Sequence, residues 1–134
     1  MPGDAFTTVP GWYSDTLASG APGPRPERIS LAYVDCDLYT SAAEVMRFLG
    51  PYLRNGMILG FDDYYCYGPS APSGERLAAG AFFASSDRWQ LLPYIQFGWH
   101  GMSFVVEDRS AGSTGVPGWS ASQSLIPSAE TPGP

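Results

Sequence analysis

Two short apolar runs, each closed by acidic residues and separated by one helix-length of chain, constrain this sequence most. The first is Ile29-Ser30-Leu31-Ala32-Tyr33-Val34, which runs into Asp35-Cys36-Asp37-Leu38-Tyr39. The second is Met57-Ile58-Leu59-Gly60-Phe61, which runs into Asp62-Asp63-Tyr64-Tyr65. Apolar runs of this length between turn residues predict buried strands. Between them, Ser41-Ala42-Ala43-Glu44 has the spacing of a capping box at a helix start. Val45, Leu49, Tyr52 and Leu53 then recur at helical spacing. Pro51 is expected to kink or restart the helix, and Asn55-Gly56 to stop it. Strand, helix, strand is a βαβ unit, which makes the two strands parallel. Both acidic clusters then share one carboxyl edge, where open α/β sheets bind ligands.

Carboxylates gathered at such an edge repel one another unless protons or a cation compensate them. All-oxygen donors favour a hard cation such as Mg²⁺, Mn²⁺ or Ca²⁺. The carboxylates of the two clusters are therefore candidate metal ligands. The plainer alternative is a set of strand-end and helix-cap carboxylates. Alternation along an extended segment places Asp37 on the side of Asp35, or else Asp37 caps the helix. His100, the sole histidine, sits at an expected hairpin tip, either solvated or as an acid/base group. Tyr39, Tyr64 and Tyr65 pack or line a pocket. Arg76 at a helix start opposes the dipole and is expected to have a carboxylate partner such as Asp63.

The chain has 134 residues and a formal net charge of −6, enough for one small domain and unsuited to nucleic acid or an anionic membrane. All seven basic residues are Arg, so no mechanism can draw on a Lys of this chain. Cys36 and Cys66, the only cysteines, make no disulfide framework and read as reduced, structural thiols. Met1 is followed by neither a basic region nor an apolar stretch, and no run is long enough to cross a membrane; a cytoplasmic location is expected. Residues 1–28 form an N-terminal segment with a short strand at 6–9, a Gly-Trp-Tyr cluster at 11–17 and a Gly/Pro-rich connection. Residues 29–108 form the folded unit. Its second half carries a helix over 73–83 and strands over 89–97 and 102–107, joined as an antiparallel hairpin. Residues 109–134, rich in Ser, Gly and Pro, read as a disordered tail.

Four motifs follow one another in order: Gly11-Trp12-Tyr13-x-Asp15-Thr16-Leu17, Asp35-Cys36-Asp37-Leu38-Tyr39-x-Ser41, Gly56-x5-Asp62-Asp63-Tyr64 and Gly74-x-Arg76-x-Ala78. Together they resemble the macrocin O-methyltransferase (TylF-like) family of class I S-adenosylmethionine-dependent methyltransferases, across residues 5–107. The resemblance implies an α/β, Rossmann-like fold and an O-methyltransferase using S-adenosylmethionine and Mg²⁺ (or Mn²⁺). It carries the metal ligands over to Asp35, Asp62 and Asp63, with Asp35 also the proton acceptor. The acceptor it implies is a small-molecule hydroxyl on a sugar or another natural product. Catechol-type relatives have a Lys three positions after the first ligand, where this chain has Leu38.

No Gly-rich loop behind a strand precedes Asp35, so cofactor-binding residues stay unassigned and the isolated chain is expected to bind S-adenosylmethionine weakly or not at all. What the resemblance leaves is the C-terminal half of such a domain: a mostly parallel sheet of family strands 4-5-7-6 with a C-terminal antiparallel hairpin. Its exposed first strand invites a second copy, as a homo-oligomer, or a complementing N-terminal half. An inactive remnant or complementing subunit is the non-enzymatic alternative. A haloacid-dehalogenase-type phosphotransferase also ends strands in such acids, but needs a Lys between them and Thr or Val where Tyr39 stands. A glycosyltransferase reading of Asp-x-Asp leaves the Asp62-Asp63 pair unexplained.

Overall fold

A computed structural model describes residues 6–21, 23–68 and 72–110. A single helical turn, α1 (Tyr13–Thr16), precedes β1 (Leu31–Val34), α2 (Tyr39–Leu49), a 3₁₀ turn (Gly50–Tyr52) and β2 (Ile58–Phe61). Then come α3 (Gly74–Ala84), β3 (Trp89–Phe97) and β4 (Gly101–Asp108). The short strand expected at 6–9 does not form, and the expected tail lies almost wholly outside the described residues.

The βαβ unit forms as expected, with β1 and β2 parallel from Leu31 opposite Ile58 to Val34 opposite Phe61. Strand order is β1-β2-β4-β3, the spatial order that the resemblance implies. The expectation of a mostly parallel sheet is corrected: β1·β2 is the sole parallel pair of a mixed, four-stranded sheet. The cause is the connection after β3. Three residues turn that strand into β4, and so short a link can only reverse direction. β4 then inserts between β2 and β3, antiparallel to both.

The helix start is also corrected. α2 begins at Tyr39 with Leu38 as its N-cap and no side-chain cap bond, so Ser41 lies inside the helix and the capping box is not made. Glu44 instead pairs with Arg47 at 2.7 Å. Pro51 does restart the chain, in the first turn of the 3₁₀ segment.

The core lies between one face of the sheet and the two packed helices. Leu59, Phe61, Phe104 and Val106 meet Met46, Leu49, Ala79 and Phe83 there. The opposite face carries the row Leu31–Ile58–Val105–Leu92, of which Leu31 is 62% exposed. Layered α/β sheets cover both faces, and here the helices cover one. None of the described helices is long and apolar enough to cross a membrane, and both cysteines are free.

Candidate functional site

The two acidic clusters meet at the carboxyl edge of β1 and β2. Past the last strand pair, the Asp62 amide donates to the Val34 carbonyl at 2.9 Å, which sets the two strand ends level. Beyond Val34 the chain turns sharply. The Leu38 amide donates to the Cys36 carbonyl at 2.5 Å, closing a three-residue γ-turn on Asp37, whose φ is +54°. It is the sole non-glycine residue with positive φ among those described. Such a conformation costs about 1 kcal/mol or more and concentrates at functional sites. The turn folds the acids back on themselves. Carboxylate oxygens of Asp35, Asp37 and Asp63 all lie within 4.8 Å of one another.

Their charges interact strongly. Asp37 is pushed above its ordinary pKa, first by its hydrogen bond to Asp63 and then by that neighbour's negative charge. Asp63 is held below, first by the thiol of Cys66, which donates at 2.8 Å, and then by Asp37. The Cys66 thiol is pushed up to about 11 by its bond to Asp63, so it behaves as a donor and not as a thiolate. A hard cation compensates carboxylate oxygens crowded in this way.

Asp62 faces elsewhere. Its Oδ1 accepts the hydroxyl of Tyr33, which is raised to about 12 by that bond. Strand register explains the reach: Tyr33 stands opposite Gly60, and a Cβ at Gly60 would come 3.0 Å from the Tyr33 ring. Asp62 Oδ2 lies 3.9 Å from His100 Nδ1, which also hydrogen-bonds the Asp62 carbonyl oxygen at 2.6 Å. The Tyr65 amide donates to the His100 carbonyl at 2.9 Å, so the β3–β4 turn is tied to the loop after β2. Of the sequence-derived set, Asp35 and Asp63 come together, Asp37 joins them, and Asp62 is turned towards Tyr33 and His100. A mixed group of Asp63, Cys66 and His100 lies alongside.

Two further residues build the site: Glu75, which sequence reasoning missed, and Gly74, which it met only as the start of the fourth motif. Glu75, in the first turn of α3, is wholly buried. Its Oε1 accepts the Cys36 amide at 2.9 Å and its Oε2 the Asp63 amide at 3.1 Å. Burial pushes its pKa up, and these backbone bonds pull it down. Gly74, just before it, has φ +52°, and a Cβ there would sit 2.5 Å from the Asp37 carbonyl oxygen. Arg76 lies over the rings of Tyr64 and Tyr65, 5.6 and 5.4 Å from their centroids. Beside Asp35 a groove of about 400 Å³ runs along β1, lined by Tyr13, Leu17, Leu31, Tyr33 and Phe48 among others.

A βαβ unit that gathers carboxylates at its carboxyl edge defines an α/β protein with an acidic site at the strand ends. The sequence model of the family described as macrocin-O-methyltransferase (TylF) matches residues 2–76, more than half of the chain, and the chain belongs to that family. That span takes in Asp35, Asp37, Asp62, Asp63 and Glu75 and stops before the β3–β4 hairpin. No curated protein matches the chain. Among solved structures it is similar to the apo form of CalS11, a TDP-rhamnose 3′-O-methyltransferase of calicheamicin biosynthesis, with 28% identity and a TM-score of 0.42. That similarity covers 57% of this chain and 31% of CalS11, so the chain spans under a third of that protein's length.

Proposed function

We propose that this chain carries the divalent-metal and acceptor-hydroxyl side of an S-adenosylmethionine-dependent O-methyltransferase site, acting on a sugar or related natural-product hydroxyl. Family membership supports the methyl-transfer class. One observation carries the metal assignment: three carboxylates from two different strand ends lie within 4.8 Å, one of them on a left-handed turn. Asp35, Asp37 and Asp63 would hold Mg²⁺ or Mn²⁺, with Asp62 the adjoining carboxylate. The donor set is all oxygen and anionic, which suits that class of cation.

When bound, such a cation supplies Lewis acidity that lowers the pKa of an acceptor hydroxyl. The chain's own residues do the rest. Asp35 is exposed at the mouth of the groove and stands where it can take the hydroxyl proton. Tyr33 holds Asp62 by its hydroxyl and keeps that carboxylate off the other three. The apolar groove residues Leu31 and Leu17 face the acceptor's non-polar surface. No residue of this chain is assigned to S-adenosylmethionine, and no step is placed on it.

Mn²⁺ titration of the full chain, followed by the loss of its free-ion electron paramagnetic signal, tests the proposal. Asp63→Ala and Asp35→Ala are each expected to weaken Mn²⁺ by about tenfold or more, since each removes a direct oxygen donor. Asp62→Ala is expected to weaken it by only about threefold, through lost charge alone. Equal affinity in wild type and Asp63→Ala would refute the assignment.

A further inference from the structure

We propose that Glu75 is the positioning residue of this site, a buried clasp that holds the two acid-bearing strand ends at ligand distance; this rests on the metal reading above. The β1·β2 ladder ends at the Asp62 amide bond to Val34. Past that point Asp35, Asp37 and Asp63 sit on turns, where strand pairing no longer fixes their separation. Glu75 supplies the missing tie. One carboxylate oxygen takes the Cys36 amide, between Asp35 and Asp37, and the other takes the Asp63 amide. The two oxygens of a single rigid group thus set the spacing between the two acid clusters.

The approach of α3 is built for this contact. Gly74 has no Cβ where one would meet the Asp37 carbonyl oxygen at 2.5 Å and the Tyr67 ring at 3.2 Å. Glu75 can therefore reach both amides from a helix end pressed against the turn. A carboxylate here is costly in stability. It is wholly buried beside a second carboxylate, and taking such a group out of water is expensive. An apolar side chain of similar size would fill the space without that cost, but would leave the Cys36 and Asp63 amides without an acceptor. The energetic expense is explained if the spacing of the acids matters more than the stability of the helix contact. Partners that orient metal ligands typically contribute ten- to a hundredfold in affinity.

Three variants separate spacing from charge. Glu75→Gln presents an NH₂ group to one of the two amides and loses that bond. Glu75→Asp keeps the charge but is one methylene too short to span both. Gly74→Ala keeps Glu75 and displaces the helix end from Asp37. All three are expected to weaken Mn²⁺ by about tenfold while circular dichroism remains that of the folded chain. Wild-type affinity in Glu75→Asp would overturn the proposal, because charge alone would then suffice. So would wild-type affinity in Glu75→Gln. Should the wild type itself bind no Mn²⁺, the metal reading falls, a result distinct from these. Amide hydrogen exchange on the wild-type chain needs no variant to fold: Cys36 and Asp63 are expected to exchange about tenfold or more slowly than free peptide, as bonded and buried amides do. Exchange of both at free-peptide rates would overturn the clasp.

Discussion

Asp37 sits among the acids of both strand ends. Its backbone is strained, its carboxyl is pushed above its ordinary pKa by its hydrogen bond to Asp63, and it faces the like charges of Asp63, Asp35 and Asp62. Each of these works against stability, which makes the residue easy to test. Asp37→Gly relieves the positive φ and removes one carboxylate. In the presence of a chelator it is expected to be more stable than the wild type by about 1 kcal/mol in urea denaturation. The same variant is expected to bind Mn²⁺ about tenfold more weakly, the divergence expected of a strained functional residue. A loss of stability without metal would contradict this account. The sequence showed that Asp35, Asp62 and Asp63 end neighbouring strands. It did not show the γ-turn, because nothing in Asp-Cys-Asp-Leu distinguishes an extended segment from a reversed one. Nor did it show Glu75, whose position after a glycine at a helix start is fully explained by the helix dipole. Its role depends on contacts 12 and 39 residues away.

At the scale of elements, the apolar runs and their separation carried most of the fold. β1, β2 and the crossover helix follow from length, burial and the short connection between them. α2 begins at Tyr39, two residues before the Ser-x-x-Glu motif, because the turn at Asp37 delivers Leu38 in the extended conformation of a cap. Local capping chemistry was overridden by the geometry of the preceding turn. The far end of the sheet is tied by Asp108 at the close of β4. Its carboxylate accepts the Ser110 amide at 2.9 Å and Arg88 Nε at 2.8 Å, while Asn55 accepts its amide. The Ser110 hydroxyl, which also donates to this carboxylate at 2.5 Å, does most to hold its pKa below the ordinary value, and Arg88 and the Ser110 amide add to it. A carboxylate depressed by folding contributes stability above its unfolded pKa, about 4, and that contribution is lost as pH falls through the lower folded value. Asp108→Asn is therefore expected to melt below the wild type at pH 7, with the gap closing in acid. A gap unchanged between pH 7 and pH 2.5 would show that these bonds carry no charge-dependent stability.

For the whole molecule, the sheet is finished on one side only. Helices α2 and α3 cover Leu59, Phe61, Phe104 and Val106, while Leu31, Tyr33, Leu92 and Tyr94 stay exposed across the other face and both edges. The acidic site sits at the boundary between the two, beside the groove along β1. Strand order was legible through the family resemblance, which implied family strands 4-5-7-6 in that order. The mixed character follows from the hairpin, which places β4 beside β2 and makes two of the three strand pairs antiparallel. In that interior position β4 is nearly all buried, while β3 at the edge is largely exposed.

Under the proposed function, both strand ends serve one cation. Anomalous diffraction from crystals of the full chain soaked in Mn²⁺ tests it most directly. A single peak within ligand distance of Asp35, Asp37 and Asp63 is the expected result. No peak at these carboxylates, or one confined to Asp62 and His100, would contradict it.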